Sequence, residues 1–247
     1  MRVALITGAA GGIGRALCQA FEKAGYRVLA TDREQPQECN GSFVAGDLAR
    51  FWREPEQRTQ LVAALRRELA APRLDVLVNN AALQVVADAR STTAADWNDT
   101  LATNLLAPFA LIQELLPELE AARGSVVNIG SVHAQLTLPR SVCYATSKAA
   151  LAGMTRALAV ELGDEVRVNC IQPGATDTEM LRSRLLDDEA ALQQLARAHP
   201  LGRIADPSEI AAAAVFLASP EASFVTGACF DVSGGCTARL HAPDSAK

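Results

Sequence analysis

Residues 2–21, RVALITGAAGGIGRALCQAF, pass from an unbroken apolar run through a glycine-rich turn into a segment with helical spacing. No other stretch restricts the fold as strongly. RVALIT lacks polar alternation, which is how a strand reads when both of its faces are covered. Ile13, Ala16, Leu17, Ala20 and Phe21 then follow the i, i+3, i+4, i+7, i+8 spacing of a helix with one apolar face. Glycine is needed between them because the turn demands unusual dihedrals. A side chain there would also keep the backbone away from a pyrophosphate at the helix N-terminus.

The alternation continues along the chain. Further apolar runs stand at 27–31, 42–45, 75–79, 125–130, 166–171 and 229–232, with helical patterns between most of them. This predicts an α/β fold: a single-domain, doubly wound parallel sheet of the Rossmann type over residues 1–247, with about seven strands and helices on both faces. Ligands of such sheets bind in the crevice at the carboxyl ends of the strands. Ile210, Ala213, Ala214, Leu217 and Ala218 form a second apolar helical face, started by DPSE. There Asp206 can cap, Pro207 fits the first helical position and Glu209 completes a capping box. Two regions depart from the rhythm. DREQPQECNG, between the second and third strands, is too short and polar for a crossover helix, and residues 178–200 read as a helical, half-charged insertion placed where a substrate lid would sit.

Bulk properties narrow the partners. The net charge is −5 and no run of Lys or Arg occurs, so neither nucleic acid nor an anionic membrane surface is expected. No apolar stretch has the length of a membrane span, and the first residues lack the layout of a secretion signal. A small molecule and a cytoplasmic location are the expectation. The six cysteines are scattered without a C-x-x-C pair, which suggests neither zinc nor a disulfide framework.

In the glycine turn the candidate cofactor contacts are Gly8, Gly12, Ile13 and Gly14. Asp32 closes the second strand. A carboxylate there accepts hydrogen bonds from ribose hydroxyls and repels a 2'-phosphate, which argues for NAD over NADP. Arg33 leaves NADP open as the alternative, because a guanidinium in the next position can meet a phosphate.

Tyr144 and Lys148 are four residues apart, so on a helix they share a face and converge on one site. A free phenol titrates near pH ~10, and a neighbouring ammonium can lower that by roughly 1 to 3 pH units. Tyr144 is thus the candidate general acid/base. Ser131, at the end of the fifth strand, can hold a substrate oxygen beside it. Cys143, next to Tyr144, points elsewhere on a helix and is expected to serve packing.

Taken together, TGAAGGIG, GDL (46–48), NNAA (79–82), TN (103–104), GS (130–131), YATSK (144–148), PGATDT (173–178) and a terminal VSGG resemble the short-chain dehydrogenase/reductases over nearly the whole chain. The resemblance implies that Asp47 and Leu48 flank an adenine and that Asn80 and Ala81 line the cofactor. It also implies that Pro173, Gly174 and Thr178 approach the nicotinamide, that Lys148 bonds the nicotinamide ribose, and that Asn104 supports a water relaying protons from Lys148. Ala82 stands where the family has glycine, and Ser233 where aspartate is common. A homo-oligomer, commonly a tetramer, is implied too, with two long helices containing WNDTLATNLLAPFALIQELLPEL and CYATSKAALAGMTRALAVEL pairing across subunits.

At the substrate end, NNAALQ with SVH is similar to 3-hydroxybutyrate dehydrogenases, where the glutamine and histidine matching Gln84 and His133 help hold a carboxylate. Ser141 stands where those enzymes carry lysine, with Arg140 one residue earlier as a candidate stand-in. A structural His133 bonded to the backbone stays open. So do a polyol, sugar or cyclic alcohol as substrate, and an NADP-dependent 3-oxoacyl reductase, which DWNDTLATN and PLGRIADPSEIA also resemble. A non-catalytic cofactor-binding protein would be expected to lose the tyrosine or lysine that this chain keeps.

Overall fold

The computed structural model describes residues 1–36, 39–185 and 188–240. Seven strands, β1 (Val3–Thr7), β2 (Arg27–Asp32), β3 (Ser42–Ala45), β4 (Val76–Asn79), β5 (Ser125–Ile129), β6 (Arg167–Pro173) and β7 (Cys229–Val232), make one sheet. They stand in the order β3-β2-β1-β4-β5-β6-β7 and every pairing is parallel. The strand order reverses between β1 and β4, which opens the crevice at their carboxyl ends.

The connecting helices are α1 (Gly12–Lys23), α2 (Leu48–Arg53), α3 (Pro55–Glu68), α4 (Ala94–Leu101), α5 (Ala107–Glu114), α6 (Leu116–Ala122), α7 (Val142–Glu161), α8 (Glu179–Arg184), α9 (Glu189–Ala198) and α10 (Pro207–Ala218). They sit on both faces because alternate residues of each strand need cover. Leu5, Leu29, Leu77 and Val126 face one way and pack with Phe51, Leu65, Leu111 and Leu158; Ala4, Ile6, Val28 and Val78 face the other and pack with Leu17, Phe21, Ile210 and Leu217. The expected capping box forms at α10, with Asp206 accepting from Ser208 N–H and Glu209 from Asp206 N–H.

The expected long helix around residues 97–119 is not continuous. A wide π turn, Ala102–Leu106, separates α4 from α5, and the chain restarts at Leu116. Pro108 and Pro117 lie in the first turns of α5 and α6, where a missing backbone N–H costs nothing. The insertion expected at 178–200 contains α8 and α9; residues 186 and 187 of it lie outside the described residues, as do residues 37 and 38 between β2 and β3.

Candidate active site

A crevice of about 1210 Å³ runs along the carboxyl ends of the strands and is lined by most of the residues expected from the sequence. At one end stands the glycine turn. Gly8 has φ +65°, and a Cβ on it would lie 2.6 Å from Ala81 Cα, so only glycine fits. A Cβ on Gly14 would lie 2.0 Å from the Gly8 carbonyl oxygen, and one on Gly12 would lie 2.9 Å from Thr178 Cγ2. Gly11 caps α1 without any side-chain bond, so the first turn of α1 offers backbone N–H groups to the crevice. This cradle fits the pyrophosphate of a dinucleotide.

The turn is held before any ligand arrives. Asn80 Nδ2 donates to the Thr7 and Gly8 carbonyls at 3.0 and 2.9 Å, and Thr7 Oγ1 accepts from Asn80 and Ala81 N–H at 3.0 and 3.1 Å. Asn80 therefore spends its amide on the turn itself. Asp32 Oδ2 accepts from Ala10 N–H at 2.9 Å and Oδ1 from Arg33 N–H at 2.6 Å, which fixes its carboxylate at the end of β2 beside the glycine turn. Asp47 Oδ1 caps α2 by accepting from Ala49 and Arg50 N–H, and Leu48 is buried beside it. Across the mouth, Arg15 of α1 pairs with Glu179 of α8.

The other end gathers the candidate catalytic groups. Ser131 follows β5 and is buried; its Oγ accepts from His133 N–H at 3.1 Å, and its hydroxyl acts on the Tyr144 phenol. Tyr144 and Lys148 do share a face of α7 and both line the crevice. Lys148 Nζ donates to the Ile129 carbonyl at 2.7 Å and lies 5.6 Å from the centre of the Tyr144 ring.

The electrostatics differ from the sequence expectation. Burial pushes the Tyr144 phenol up, opposed by the Ser131 hydrogen bond and by the charge of Arg184; Lys148 is not among the groups that lower it. Burial brings the Lys148 ammonium down to about 8. Both shifts have burial as their first cause, because desolvation penalises the charged form of each group.

Asn104 lies in the π turn and is buried. Its Nδ2 donates to the Leu83 carbonyl at 2.9 Å and to Ser147 Oγ at 3.0 Å, while Oδ1 accepts from Leu83 N–H at 2.7 Å. It thereby ties the segment after β4 to α7. His133 meets the Tyr144 ring edge-on with centroids 5.5 Å apart and hydrogen-bonds Thr137 Oγ1 through Nδ1 at 3.0 Å. Burial, and then the charge of Arg184, hold its ring near 4, so it is neutral at neutral pH. Gln84 lines the same end.

Arg140 is not brought to the crevice. It is exposed with φ +64°, its carbonyl accepts from Ala87 N–H, and its charge acts on Asp88. Cys143 is buried and burial pushes its thiol up, in keeping with packing. Pro173 and Gly174 close β6 at the crevice, and Thr178 caps α8, accepting from Leu181 N–H.

Two groups have no counterpart among the residues expected from the sequence. His199 is buried after α9: Nδ1 donates to the Leu195 carbonyl at 2.8 Å, and Nε2 accepts from Ala175 N–H at 3.2 Å. Arg184, the last residue of α8, reaches into the substrate end. Its signal in the sequence was the spacing of Met180, Leu181 and Arg184, which places all three on the crevice side of one short helix.

Comparison with known proteins agrees with this geometry. A family model described as enoyl-(acyl carrier protein) reductase matches residues 8–237. The chain belongs to the short-chain dehydrogenase/reductase family. It is 37% identical to L-fucose dehydrogenase of Mus musculus over 246 residues, covering 95% of this chain and 88% of that protein. Among solved structures, the aldohexose dehydrogenase of Thermoplasma acidophilum superposes with a TM-score of 0.91 at 30% identity, covering 98% of this chain and 97% of that one. A gluconate 5-dehydrogenase of Burkholderia cenocepacia, solved with NADP and tartrate, gives 0.87 at 29% identity over 97% and 96%. As a member of this family the chain is an oxidoreductase of the secondary-alcohol dehydrogenase kind that uses a nicotinamide dinucleotide.

Proposed function

We propose that the chain is an NAD-dependent dehydrogenase interconverting a secondary alcohol, short hydroxy acids included, with its ketone. The observation that carries this is the convergence of Ser131, Tyr144 and Lys148 on one end of a crevice whose other end is the glycine turn. When bound, the nicotinamide supplies the hydride acceptor. The chain's part is to place the carbinol and handle its proton. Ser131 Oγ and Tyr144 hold the substrate oxygen; the Tyr144 phenol gives its proton to that oxygen in ketone reduction and, as phenolate, takes it back as the carbonyl forms. Lys148 sits behind the tyrosine and binds the nicotinamide ribose, and Asn104 holds the surrounding backbone from which a proton relay can start.

Gly8, Gly12, Ile13 and Gly14 take the pyrophosphate. Asp32 takes the adenosine ribose, Asp47 and Leu48 flank the adenine, and Asn80, Ala81, Pro173, Gly174 and Thr178 enclose the remainder. Gln84 and His133 contact the substrate. Steady-state turnover of Tyr144→Phe tests the mechanism: a fall of about 10²- to 10⁴-fold in kcat is expected. Retained turnover of a good substrate would refute it.

NAD preference rests on Asp32. NADP is the second reading, favoured by the NADP in the gluconate 5-dehydrogenase structure and by Arg33, which lines the same end.

We also infer that α8 and α9 act as a substrate lid and that the chain works in the cytoplasm as a homo-oligomer, a tetramer by family likeness. The six cysteines are free, which suits a reducing compartment. On α7, Val142 and Val160 are exposed, and a Cβ on Gly153 would meet nothing within 4 Å, which leaves room for a second helix. Sedimentation as a monomer at working concentration would rule the oligomer out.

A further inference from the structure

Charge is distributed unevenly along the crevice. Its lining carboxylates are Asp32, Glu34, Asp47, Asp99 and Glu179. Asp32 and Asp47 hold backbone N–H groups, Asp99 pairs with Arg53, and Glu179 pairs with Arg15. Glu34 follows Asp32 at the adenosine end. None of them answers the cation at the opposite end.

Lys148, bonded to the Ile129 carbonyl, and Arg239, bonded to the Arg197 carbonyl, line the crevice too; the cation without such a partner is Arg184. It is half-buried, and among the described residues it makes one long hydrogen bond, to Ser141 Oγ at 3.4 Å from Nη2. No ion pair with a carboxylate is formed by it among the described residues. Its charge acts on Tyr144 and His133, so it stands with the groups that would hold the reacting oxygen. Burial lowers its pKa, the mark of a guanidinium that has lost water and gained no anion. Such a group carries a desolvation cost that an incoming anion offsets. The planar guanidinium offers a two-pronged face suited to a carboxylate. His133, being neutral, contributes a hydrogen bond and no charge.

We propose that Arg184 binds the carboxylate of the substrate, so that the site selects a hydroxy acid over a neutral sugar, polyol or simple alcohol. This rests on the dehydrogenase reading above and assigns its substrate class to one residue. The one charge of Arg184 is matched to a monoanion, whereas a phosphate ester carries nearly two.

The test compares acids with their neutral amides. Initial rates with NAD and NADP are measured for 3-hydroxybutyrate, gluconate and tartrate, each beside its amide, and for a phosphorylated secondary alcohol. The wild-type protein should favour at least one acid over its amide by about 10- to 100-fold in kcat/KM, the range expected for a charge-assisted hydrogen-bonded pair. Arg184→Met should bring that ratio to within threefold of one, Arg184→Lys should keep part of it, and Arg184→Glu should invert it. Equal use of acid and amide by the wild type would overturn the proposal, as would a ratio that survives Arg184→Met, or preference for the phosphate ester.

A binding measurement separates this from the catalytic reading. Butyrate and butyramide are compared by saturation-transfer NMR on Tyr144→Phe protein with and without Arg184→Met. Butyrate binding that is lost with Arg184 supports the anion site even where no alcohol is turned over, which would sink only the dehydrogenase reading. Failure of butyrate to bind better than the amide would sink the anion site while alcohol turnover stood.

Discussion

Asp32→Asn isolates the charge on which the proposed cofactor preference rests. The Asp32 carboxylate is clamped by Ala10 and Arg33 N–H, so it cannot swing away from a 2'-phosphate. Asparagine keeps the length and one amide oxygen for Ala10 N–H and removes the charge. A phosphate of charge about −1.5 to −2, placed about 5 Å from the carboxylate, is repelled by roughly 1.5 kcal/mol at the dielectric of water and by about 3 kcal/mol at half that value. Those energies correspond to a change of roughly 10- to 100-fold. The variant should raise the ratio of kcat/KM for NADP to that for NAD by this factor. Initial rates with the best alcohol and each cofactor in turn measure it, and the shift should shrink as salt is added, since both charges meet solvent. A ratio that moves less than threefold, in a variant that melts as the wild type does, would refute the assignment of Asp32.

Other substitutions probe other parts. His133 titrates near 4 in the folded chain and near 6.5 when exposed, so between these values the unfolded chain holds the extra proton. Stability present above pH 6.5 is therefore lost as the pH falls toward 4, and His133→Gln should flatten that limb in urea midpoints taken at pH 7.5, 6 and 4.5. Asn104→Ala strands the Leu83 N–H and carbonyl and frees Ser147, for an expected loss of about 1–3 kcal/mol in urea unfolding together with reduced turnover. Unchanged stability would mean that water replaces the amide at no cost.

Where the sequence was legible, it was through features that act locally. SFVA and CFDV became strands at the expected residues although both lie at the sheet edges and are only partly covered, and the fully buried VALIT and SVVNI lie within their expected runs. The glycine turn was legible because close backbone approach admits no Cβ. What escaped was set by distant parts of the chain. The π turn adds a single residue to a helix and leaves the apolar pattern almost unchanged, although Pro108 and Pro117 marked the restarts nearby. The direction of the Tyr144 shift followed from its burial, which spacing on one helix cannot reveal. Arg184 reaches the site from a segment 40 residues beyond Tyr144, and Arg140, nearer in sequence, faces outward.

The His199 ring bears on how the crevice opens. It is fastened at one nitrogen to the Leu195 carbonyl of α9 and at the other to Ala175 N–H, just past β6. A Cβ on Gly174 would stand 2.9 Å from Nε2, so the ring fits against that loop without slack. Displacement of α9 must either break one of these bonds or drag the loop with it. If α9 moves as the proposed lid, it and the loop after β6 thus turn on a common joint, with the His199 ring as the pin.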